Sequence, residues 1–402
     1  MRPALILLLA LCFAPMAHAG IVDAPAANLE ISLMTYGPGD IYWERFGHDA
    51  LEVRDTVSGE SVAFNYGVFD FDQKGFLLNF ARGIMAYRMD AENTQSDIDF
   101  YAGEGRYVRR QRLALDDAQK EKLRRFLLWN IRPENAGYHY DYYVDNCTTR
   151  VRDALDDALD GALSDQLIDK PGGMTFREQT ARLMSNQPLL MLGMDLGLGP
   201  YADQPMTAWK EAFLPMTLEA ELRNVRIGEG DAARPLVVDE TTIAPARLDP
   251  PPEQAPDLRW PLFGAGLLLA IPLALPFFTR HRVARGIFVA AGTLFTVFAG
   301  VAGLFMLGLW ALTLHRSAWG NFNLLAFQPL AFLLLPAIWR LRRAGRPMGR
   351  LAPRIATLSL GACAIGLLLH LWPGFPQRNL PWILFALPCW AALFASFCRR
   401  HD

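Results

Sequence analysis

Five long, largely apolar stretches in residues 260–402 constrain this 402-residue chain more than any other feature. Each is close to the ~20 residues that a helix needs to cross a bilayer. The third is the shortest and contains Pro329 and Pro336, so its ends are the least defined. The sequence therefore predicts a transmembrane domain over residues 259–402. Its five helices are expected at about 260–278, 287–314, 324–339, 355–372 and 380–397.

Arginines in the connecting loops predict the orientation of these helices, because Lys and Arg are enriched on the cytoplasmic side of membrane proteins. The loops 279–286 and 340–354 and the C-terminal tail hold eleven arginines, whereas the alternate loops hold only Arg316 and Arg378. The eleven are Arg280, Arg282, Arg285, Arg340, Arg342, Arg343, Arg346, Arg350, Arg354, Arg399 and Arg400. This asymmetry places the C-terminus in the cytoplasm and the residues before the first helix outside it.

Residues 1–19 have the pattern of a secretory signal peptide. An early Arg2 is followed by the apolar run 4–14 and by the small-x-small ending Ala17-His18-Ala19, which predicts cleavage before Gly20. The alternative is an uncleaved first membrane helix, which the shortness of the apolar run disfavours. Cys12 is a weak lipoprotein signal because Leu11 stands where a small residue is expected. Both ends of the chain thus predict a multi-pass protein of the inner (cytoplasmic) membrane with an exported N-terminal domain.

The near-neutral net charge of −2 is an average over two unlike halves. Residues 20–259 carry 25 basic and 40 acidic side chains, a balance of −15, whereas residues 260–402 carry 13 basic and one acidic. The excess arginine lies between apolar runs rather than on a polar face, which argues against a nucleic-acid partner. We expect an exported domain at 20–227 and a Pro-rich, acidic spacer at 228–258.

The exported domain begins with strand-like runs and continues with helices. Short β-branched or aromatic runs separated by turn residues predict strands, here at 29–35, 50–54, 61–66 and 107–115. Asp116 with Gln119, and Thr175 with Glu178, have the spacing of capping boxes that open helices. Further helices are expected near Cys147 and after Thr207. This order indicates an α+β layout.

Cys147 is the only cysteine of the predicted mature exported domain, since Cys12 leaves with the signal peptide and the other three lie in or beside membrane helices. A lone cysteine in an oxidising compartment is either buried and inert or kept for its reactivity. The run Asp145–Arg150 stands where an aromatic segment meets a helix. A helix N-terminus stabilises a thiolate, so the position favours a nucleophile.

A nucleophilic thiol needs a base, which is usually histidine. The exported domain holds His48 and His139. His139 lies in an alternating aromatic run and is typical of a surface strand residue. His48 follows Gly47 at the start of a strand, a placement that projects a ring toward a cleft, and it is the better candidate for the base.

These motifs resemble one family. The runs YGPGDIYWERFGHDALEVRD, FNYGVFDFD, GIMAYRMD and PENAGYHYDYYVDNCTTRVRDAL resemble the exported domain of the Lnb-type lipoprotein acyltransferases, and residues 315–325 resemble that family's membrane region. The order of FGH and DNCTTR is similar to that of circularly permuted papain-like (NlpC-type) hydrolases. The resemblance implies an α+β papain-like exported domain ahead of the five-helix membrane domain, with an acyl-transfer site in which Cys147 and His48 take the family's Cys and His positions.

The third residue of such a site should bond the far ring nitrogen of His48 and fix its tautomer. If the strand at 61–66 pairs beside His48, Asn65 or Tyr66 can reach the ring, and we favour Asn65; an ordinary turn-facing Asn is the alternative. The backbone N–H of Cys147 is a ready donor to an oxyanion. Tyr36 is a second candidate donor or, alternatively, a packing aromatic.

Five further residues are candidates for substrate binding, each with a structural alternative. Tyr142 belongs to an aromatic run that forms either a lipid-facing platform or strand packing. Arg150 either adds positive charge near Cys147 or pairs with Asp153 or Asp157. The other three, in a loop on the predicted exported side, lie either near a lipid head group or in a polar interfacial loop: His315, Asn321 and Asn323.

The function expected from these residues is acyl transfer through a Cys147 thioester, with a lipoprotein or lipid as substrate. In the Lnb family the resemblance implies the glyceryl sn-2 ester of the lipoprotein as donor and its N-terminal amine as acceptor. Two alternatives stay open: a Cys–His amidase or endopeptidase acting on cell-wall peptides, and a non-catalytic membrane scaffold. No phosphate-binding loop or clustered metal-ligand spacing is present, so no cofactor and no metal are expected.

Overall fold

Short runs of β-branched and aromatic residues in the N-terminal half form one seven-stranded antiparallel sheet. This computed structural model describes residues 20–69, 74–228, 230–341 and 350–398. The strand order in the sheet is β6-β4-β3-β2-β1-β5-β9, and β7 and β8 form a separate pair. The strands are β1 (Leu29–Tyr36), β2 (His48–Asp55), β3 (Ser61–Val68), β4 (Ala86–Asn93), β5 (Val108–Leu113), β6 (Gly137–His139), β7 (Arg226–Ile227), β8 (Arg234–Pro235) and β9 (Val237–Ala244).

Ten helices accompany the sheet in the described part of the exported domain. They are α1 (Phe76–Arg82), α2 (Thr94–Gly103), α3 (Asp117–Asn130), α4 (Pro133–Ala136), α5 (Cys147–Ala158), α6 (Ser164–Leu167), α7 (Phe176–Leu183), α8 (Pro188–Gly197), α9 (Ala208–Glu211) and α10 (Pro215–Leu222). Both predicted capping boxes are present, at the starts of α3 and α7. The four predicted strands are β1, β2, β3 and β5, so the α+β class is confirmed.

The two faces of the sheet bury different clusters, and this division positions the candidate site. Leu33, Leu51 and Val53 pack with α3, α5 and α10 on one face. Met34, Tyr36 and Ala50 pack against α2 on the other. Because side chains alternate along a strand, His48 shares the α2 face with Ala50. Asn65 lies opposite Ala50 in the β2–β3 register, which brings it diagonally next to His48 on that face.

Part of the predicted spacer differs from the prediction. Residues 237–244, inside the range 228–258, form β9 and pair with β5 at the edge of the sheet. Their β-branched content, Val237-Val238 and Thr241-Thr242-Ile243, suits a strand, and the prolines that suggested a spacer flank the strand. Only the residues after it run without regular structure toward the first membrane helix.

Five segments of the described chain are long and apolar enough to cross a membrane. Four are single helices: α11 (Arg259–Phe278), α12 (Arg282–Leu312), α14 (Leu351–Leu369) and α15 (Leu380–Cys398). The third, Arg316–Arg340, differs from the predicted single helix over 324–339: 3-10 segments lead into the short α13 (Leu335–Arg340). Pro329 and Pro336 open the last two of these pieces, because proline has no N–H to continue a helix.

Some predictions fall on residues outside the described ranges. These are the signal peptide at 1–19 and five of the eleven loop arginines: Arg342, Arg343, Arg346, Arg399 and Arg400.

The exported domain is attached to the membrane helices through the C-terminal end of α8. A helix end leaves backbone carbonyls unpaired, and here side-chain amides of the membrane part pair with them. Asn321 Nδ2 donates to the carbonyls of Leu196 and Gly197 at 2.8 and 3.0 Å, and Asn323 Nδ2 donates to that of Leu196 at 3.0 Å. Gln377 Nε2 donates to the Leu198 carbonyl at 3.1 Å. The loops that touch the exported domain are thus the two that are poor in arginine.

A buried ion cluster strengthens the same junction. Arg177 of α7 pairs with Asp203 at 2.8 Å and with Asp195 at 3.0 Å, and all three side chains are almost fully buried. Trp382 of α15 donates its indole N–H to the second Asp195 oxygen at 2.7 Å. One guanidinium therefore neutralises two buried carboxylates, one of which contacts a membrane helix.

Replacing Arg177 with Met should destabilise the exported domain by about 3–5 kcal/mol, because two buried carboxylates lose their countercharge. Thermal and denaturant unfolding of the full-length protein in detergent measures the effect. The control is Arg125→Met, which removes an exposed ion pair to Glu121 and should cost at most about 1 kcal/mol. Equal losses in the two variants would contradict this assignment.

Candidate active site

Cys147 is the first residue of α5, and its neighbour Asn146 fixes it there. The Asn146 side-chain oxygen accepts the N–H of Thr149 at 2.9 Å, and the Thr149 hydroxyl accepts the N–H of Asn146 at 2.8 Å, a reciprocal cap. The Asn146 amide also donates to the carbonyls of Tyr142 and Phe213 at 3.0 and 2.9 Å. The start of the helix is thereby held to two neighbouring segments of the domain.

The Cys147 thiol is free and half-buried. A Cβ placed on Gly67 would lie 3.6 Å from Cys147 Cβ and 3.8 Å from the Tyr140 ring. Gly67 lies within an irregularity of β3 between Asn65 and Val68 and has φ +89°, a backbone conformation that favours glycine. Burial raises the pKa of the thiol, while hydrogen bonds from the backbone N–H of Asp49 and from the hydroxyl and N–H of Thr148 lower it in part.

His48 opens β2 and lies between aromatic rings and an amide. Its ring stacks with Tyr36 and Tyr101, with centroids 5.9 and 5.8 Å away. Its Nε2 is 2.9 Å from the side-chain oxygen of Asn65. Burial lowers the pKa of His48, whereas the bond to Asn65 raises it in part. The imidazole is therefore neutral at physiological pH.

The carboxylate of Asp97 fixes the orientation of Asn65. Asn65 Nδ2 donates to Asp97 Oδ2 at 2.8 Å, and the Tyr36 hydroxyl donates to the same oxygen at 3.3 Å. With its amide nitrogen turned to Asp97, Asn65 presents its oxygen to His48, so His48 Nε2 must carry the proton. The Nδ1 atom is then the unprotonated nitrogen, which is the one that can act as a base.

Asp49, the residue after His48, connects the start of β2 to Cys147 through its backbone. The backbone N–H of Asp49 lowers the pKa of Cys147 by hydrogen bonding, which places the thiol against the peptide that links His48 and Asp49. Cys147 thus lies at the end of the sheet where β2 begins, close to the backbone of His48 and Asp49, while the His48 ring bonds to Asn65 on the α2 face. Burial disfavours the charged form of both Cys147 and His48, so the resting pair is a neutral thiol and a neutral imidazole.

Tyr36 and Arg150 have partners other than a substrate. Tyr36 is fully buried and its one hydroxyl proton goes to Asp97, so it supports Asp97 and is not an open donor beside Cys147. Arg150 forms a two-pronged pair with Asp145, at 2.5 and 2.8 Å, and its guanidinium lies 4.3 Å from the Tyr138 ring centroid. Neither Asp153 nor Asp157, the partners weighed from the sequence, is bonded to it.

Tyr142 and His315 come together across the junction between the two domains. Their rings stack with centroids 5.8 Å apart and an interplanar angle of 17°. The Tyr142 ring also lies edge-on to Tyr140, whose own ring is close to Cys147. A row of aromatic rings therefore leads from the thiol to the loop after α12.

Asn321 and Asn323 are buried in the same loop, with 2% and 0% of their surface exposed. Their amides are bonded to the end of α8, as described above. They hold the exported domain in place and are not open to a ligand in this arrangement.

Two carboxylates of the site were not predicted from the sequence. Asp97 lies in α2, a helix that the sequence analysis did not identify, although Asn93 is a good N-cap residue. Asp49 is fully buried, and neither of its carboxylate oxygens has a hydrogen-bond partner among the described residues. Burial, and then the neighbouring Cys147, raise the pKa of Asp49 well above its usual value. Its position directly after His48 is the one signal that the sequence offered.

Among the described residues, no group of three or more His, Cys, Asp or Glu side chains is arranged to hold a metal ion.

The two halves of the chain each match a domain of one family. The profile of the Lnb N-terminal periplasmic domain matches residues 19–182. The profile of the Lnb transmembrane domain matches residues 253–396. No curated protein and no solved structure matches the chain.

Alkylation of Cys147 should rise with pH and reach its midpoint at a higher pH than that of an ordinary exposed cysteine, because burial raises the pKa of the thiol. The measurement is the rate of iodoacetamide modification in a full-length protein carrying Cys363→Ser, Cys389→Ser and Cys398→Ser. A thiolate–imidazolium pair would instead give a plateau of modification below pH 7. Such a plateau would rule out the neutral resting pair.

Replacing Asn65 should move the pKa of His48 in a direction that depends on the new side chain. Asn65→Ala removes the hydrogen bond that raises the pKa and should lower it further. Asn65→Asp places a negative charge at the ring and should raise it. NMR titration of histidine ring protons measures both, with His48→Gln used for assignment. An unchanged His48 titration in both variants would show that Asn65 does not contact the ring.

Proposed function

This chain belongs to the Lnb-type family, and from that premise we propose that it is a membrane-anchored thiol acyltransferase acting on lipoproteins. It is an inner-membrane protein with a periplasmic N-terminal domain. The reaction moves a fatty acyl group, through a Cys147 thioester, within or onto a lipoprotein at the outer face of that membrane. The acyl donor is a lipid ester, and the acceptor is an amine.

The observation that carries this proposal is the chain of bonds behind His48. Asp97 orients Asn65, and Asn65 holds the proton on His48 Nε2. The basic Nδ1 is left free of that bond, and the thiol at the start of α5 is hydrogen-bonded to the backbone of Asp49, the residue after His48. A nucleophile, a base and a group that orients the base form the arrangement that activates thiols for acyl transfer. The order His48 before Cys147 along the chain supports the likeness to permuted papain-like enzymes.

In the first half-reaction, the Cys147 sulfur attacks the carbonyl carbon of the ester while its proton passes to His48 Nδ1. The negative oxygen of the tetrahedral intermediate accepts a hydrogen bond from the Cys147 backbone N–H at the start of α5. The intermediate collapses to a thioester. The leaving glyceryl oxygen takes the proton from His48 and departs as an alcohol, which leaves a lyso-lipid.

In the second half-reaction, an amine takes the place of the alcohol. The α-amine of the lipoprotein N-terminus attacks the thioester carbonyl, and His48 accepts a proton from the amine nitrogen. The thiolate leaves and is reprotonated by His48, so an amide forms and Cys147 is restored. When donor and acceptor belong to one lipoprotein, the product is the lyso form.

The junction with the membrane helices supports a substrate that stays in the bilayer. The aromatic row from Cys147 through Tyr140 and Tyr142 ends on His315, beside the end of a membrane helix. The loops near the exported domain are those that hold Arg316 and Arg378, whereas Arg280, Arg282 and Arg285 lie at the opposite ends of α11 and α12. The orientation with a cytoplasmic C-terminus is part of the proposal.

Replacing Cys147 with Ala should abolish N-acylation of lipoproteins, and His48→Ala should lower it by about 10²–10⁴-fold because the general base is lost. Mass spectrometry of lipoprotein N-termini in cells that depend on this protein measures both effects. Matched controls are Cys398→Ala and His281→Ala, which change an exposed thiol and an exposed imidazole away from the site.

The outcomes separate the three functions considered. Unchanged lipoprotein N-termini with altered cell-wall peptides would favour the hydrolase and contradict acyl transfer. Full function in both site variants would favour a scaffold. A hydroxylamine-sensitive acyl mass on Cys147, absent in Cys147→Ser, is the expected sign of the thioester.

A further inference from the structure

Three short segments of the exported domain expose large apolar side chains. We call these six residues the apolar rim: Ile41, Trp43, Leu77, Leu78, Leu189 and Leu190. Leu77 and Leu189 are the most open, with 80% and 85% of their surface exposed. Exposed apolar side chains of this size on a folded domain mark an interaction site where they lie side by side. The rim residues come from the loop before β2, from α1 and from α8.

The first anchor of the rim is the contact between α1 and the end of α12. The Arg82 carbonyl accepts the N–H of Leu314 at 2.8 Å, and the Phe80 carbonyl is 3.1 Å from His315 Nε2. The α12 helix has 31 residues, about 46 Å at 1.5 Å per residue, and so exceeds the ~30 Å hydrocarbon core. Leu314 and His315 follow its last residue, which places α1 at the exported bilayer surface.

Two tryptophans also indicate that the contact between α1 and the end of α12 lies at the bilayer surface. Trp310 and Trp319 flank the end of α12 and are partly exposed. Tryptophan is enriched at the boundary between lipid and water. Because α1 contacts the chain between these two residues, it lies at the height of the lipid head groups.

The second anchor is the packing of α8 against α12. A Cβ placed on Gly197 would lie 3.5 Å from Phe305 and 3.8 Å from Leu309. Both are one to two turns before the end of α12, so the C-terminal end of α8 reaches below the level of α1. The Gln187 side chain, just before α8, donates to the Asp40 carbonyl at 2.8 Å. This bond ties the loop that holds Ile41 and Trp43 to the same edge.

The rim lies beside the candidate active site. The loop with Ile41 and Trp43 leads into β2, which begins at His48, and α1 connects β3 to β4. The Phe80 ring of α1 lies edge-on to Tyr142, 6.5 Å between centroids. The rim therefore borders the end of the sheet next to Cys147.

We propose that the apolar rim is buried among the acyl chains of the outer leaflet, and that a lipid ester reaches Cys147 from the bilayer across this contact. The second part rests on the proposed acyl-transfer function; the first part does not. Charge does not supply the attraction, because residues 20–259 carry a balance of −15 and anionic lipids would repel them. Leucine and tryptophan side chains at this height favour insertion into lipid instead.

Lipid contact can be measured without enzyme activity. An environment-sensitive fluorophore is attached at Leu77→Cys or Leu189→Cys in a full-length chain carrying Cys147→Ala, Cys363→Ser, Cys389→Ser and Cys398→Ser. The protein is reconstituted in vesicles of phosphatidylethanolamine and phosphatidylglycerol that contain a lipid with a quencher on its acyl chain. Quenching is expected to be at least threefold stronger at both rim positions than at Val57→Cys.

Val57 is the matched control. It is an apolar residue with 64% of its surface exposed, and it follows the far end of β2, about 25 Å from His48 at ~3.3 Å per residue. Equal quenching at Val57, Leu77 and Leu189 would overturn the lipid contact. Shielding of the rim positions from both water-soluble and lipid quenchers would also overturn it, since a protein partner would then cover the rim.

The role of the rim in catalysis needs a second readout. In an otherwise unaltered protein, Leu77→Ser with Leu78→Ser should slow acyl transfer from a membrane-embedded lipoprotein by about tenfold. Thioester formation on Cys147 from a soluble short-chain thioester should stay within twofold, as should both activities of Val57→Ser. Equal loss on both donors would overturn the delivery role. Absence of any acyl transfer in the unaltered protein would instead refute the proposed function, while the quenching result still decides the lipid contact.

Discussion

The amide side chains that pair with the end of α8 are the constraint on which the other features depend. Asn321, Asn323 and Gln377 donate hydrogen bonds to the unpaired backbone carbonyls at the end of that helix. In the ion cluster beside them, Asp195 pairs with Arg177 and accepts a hydrogen bond from Trp382 of a membrane helix. Buried polar groups of this kind are costly unless every partner is present, so they select one arrangement of the two domains. That arrangement brings Tyr142 onto His315 and α1 onto the end of α12. The distance of the thiol from the bilayer follows from the junction, rather than from the spacer before α11.

Within the exported domain, two local rules place the chemical groups. The cap formed by Asn146 and Thr149 makes Cys147 the first residue of its helix, where backbone N–H groups are free to face the sulfur or an oxyanion. The β2–β3 register puts Asn65 opposite Ala50 and hence beside His48. A shift of one residue in either strand would turn Asn65 or His48 to the opposite face of the sheet. The helix cap and the strand register are therefore as much a part of the site as the side chains themselves.

Local signals in the sequence predicted several helices and strands, and contacts between distant residues limited the prediction. The capping boxes at Asp116 and Thr175 and the four strand runs depend on neighbouring residues, and all were found. β9 was missed because the prolines on both sides of it predicted a spacer, although its β-branched residues suit the strand that pairs with β5. Asp97 was missed because its contact with Asn65 spans 32 residues. Asn321 and Asn323 were correctly placed on the side of the exported domain, but a sequence does not show that helix carbonyls from α8 occupy their amides.

Burial acts on Cys147, Asp49 and His48 in the same direction, toward the neutral form of each. It raises the pKa of Cys147 and of Asp49 and lowers that of His48, so each group is held in its neutral form. In such surroundings charge is costly, so the proposed reaction would form an ion pair between sulfur and imidazole only as the sulfur attacks. The same burial bears on the fate of the proposed thioester. Hydrolysis needs water at the carbonyl, whereas aminolysis needs an amine that the substrate itself carries to the site. Burial around Cys147 therefore supports the proposed transfer to an amine carried by the substrate over hydrolysis by water from solution.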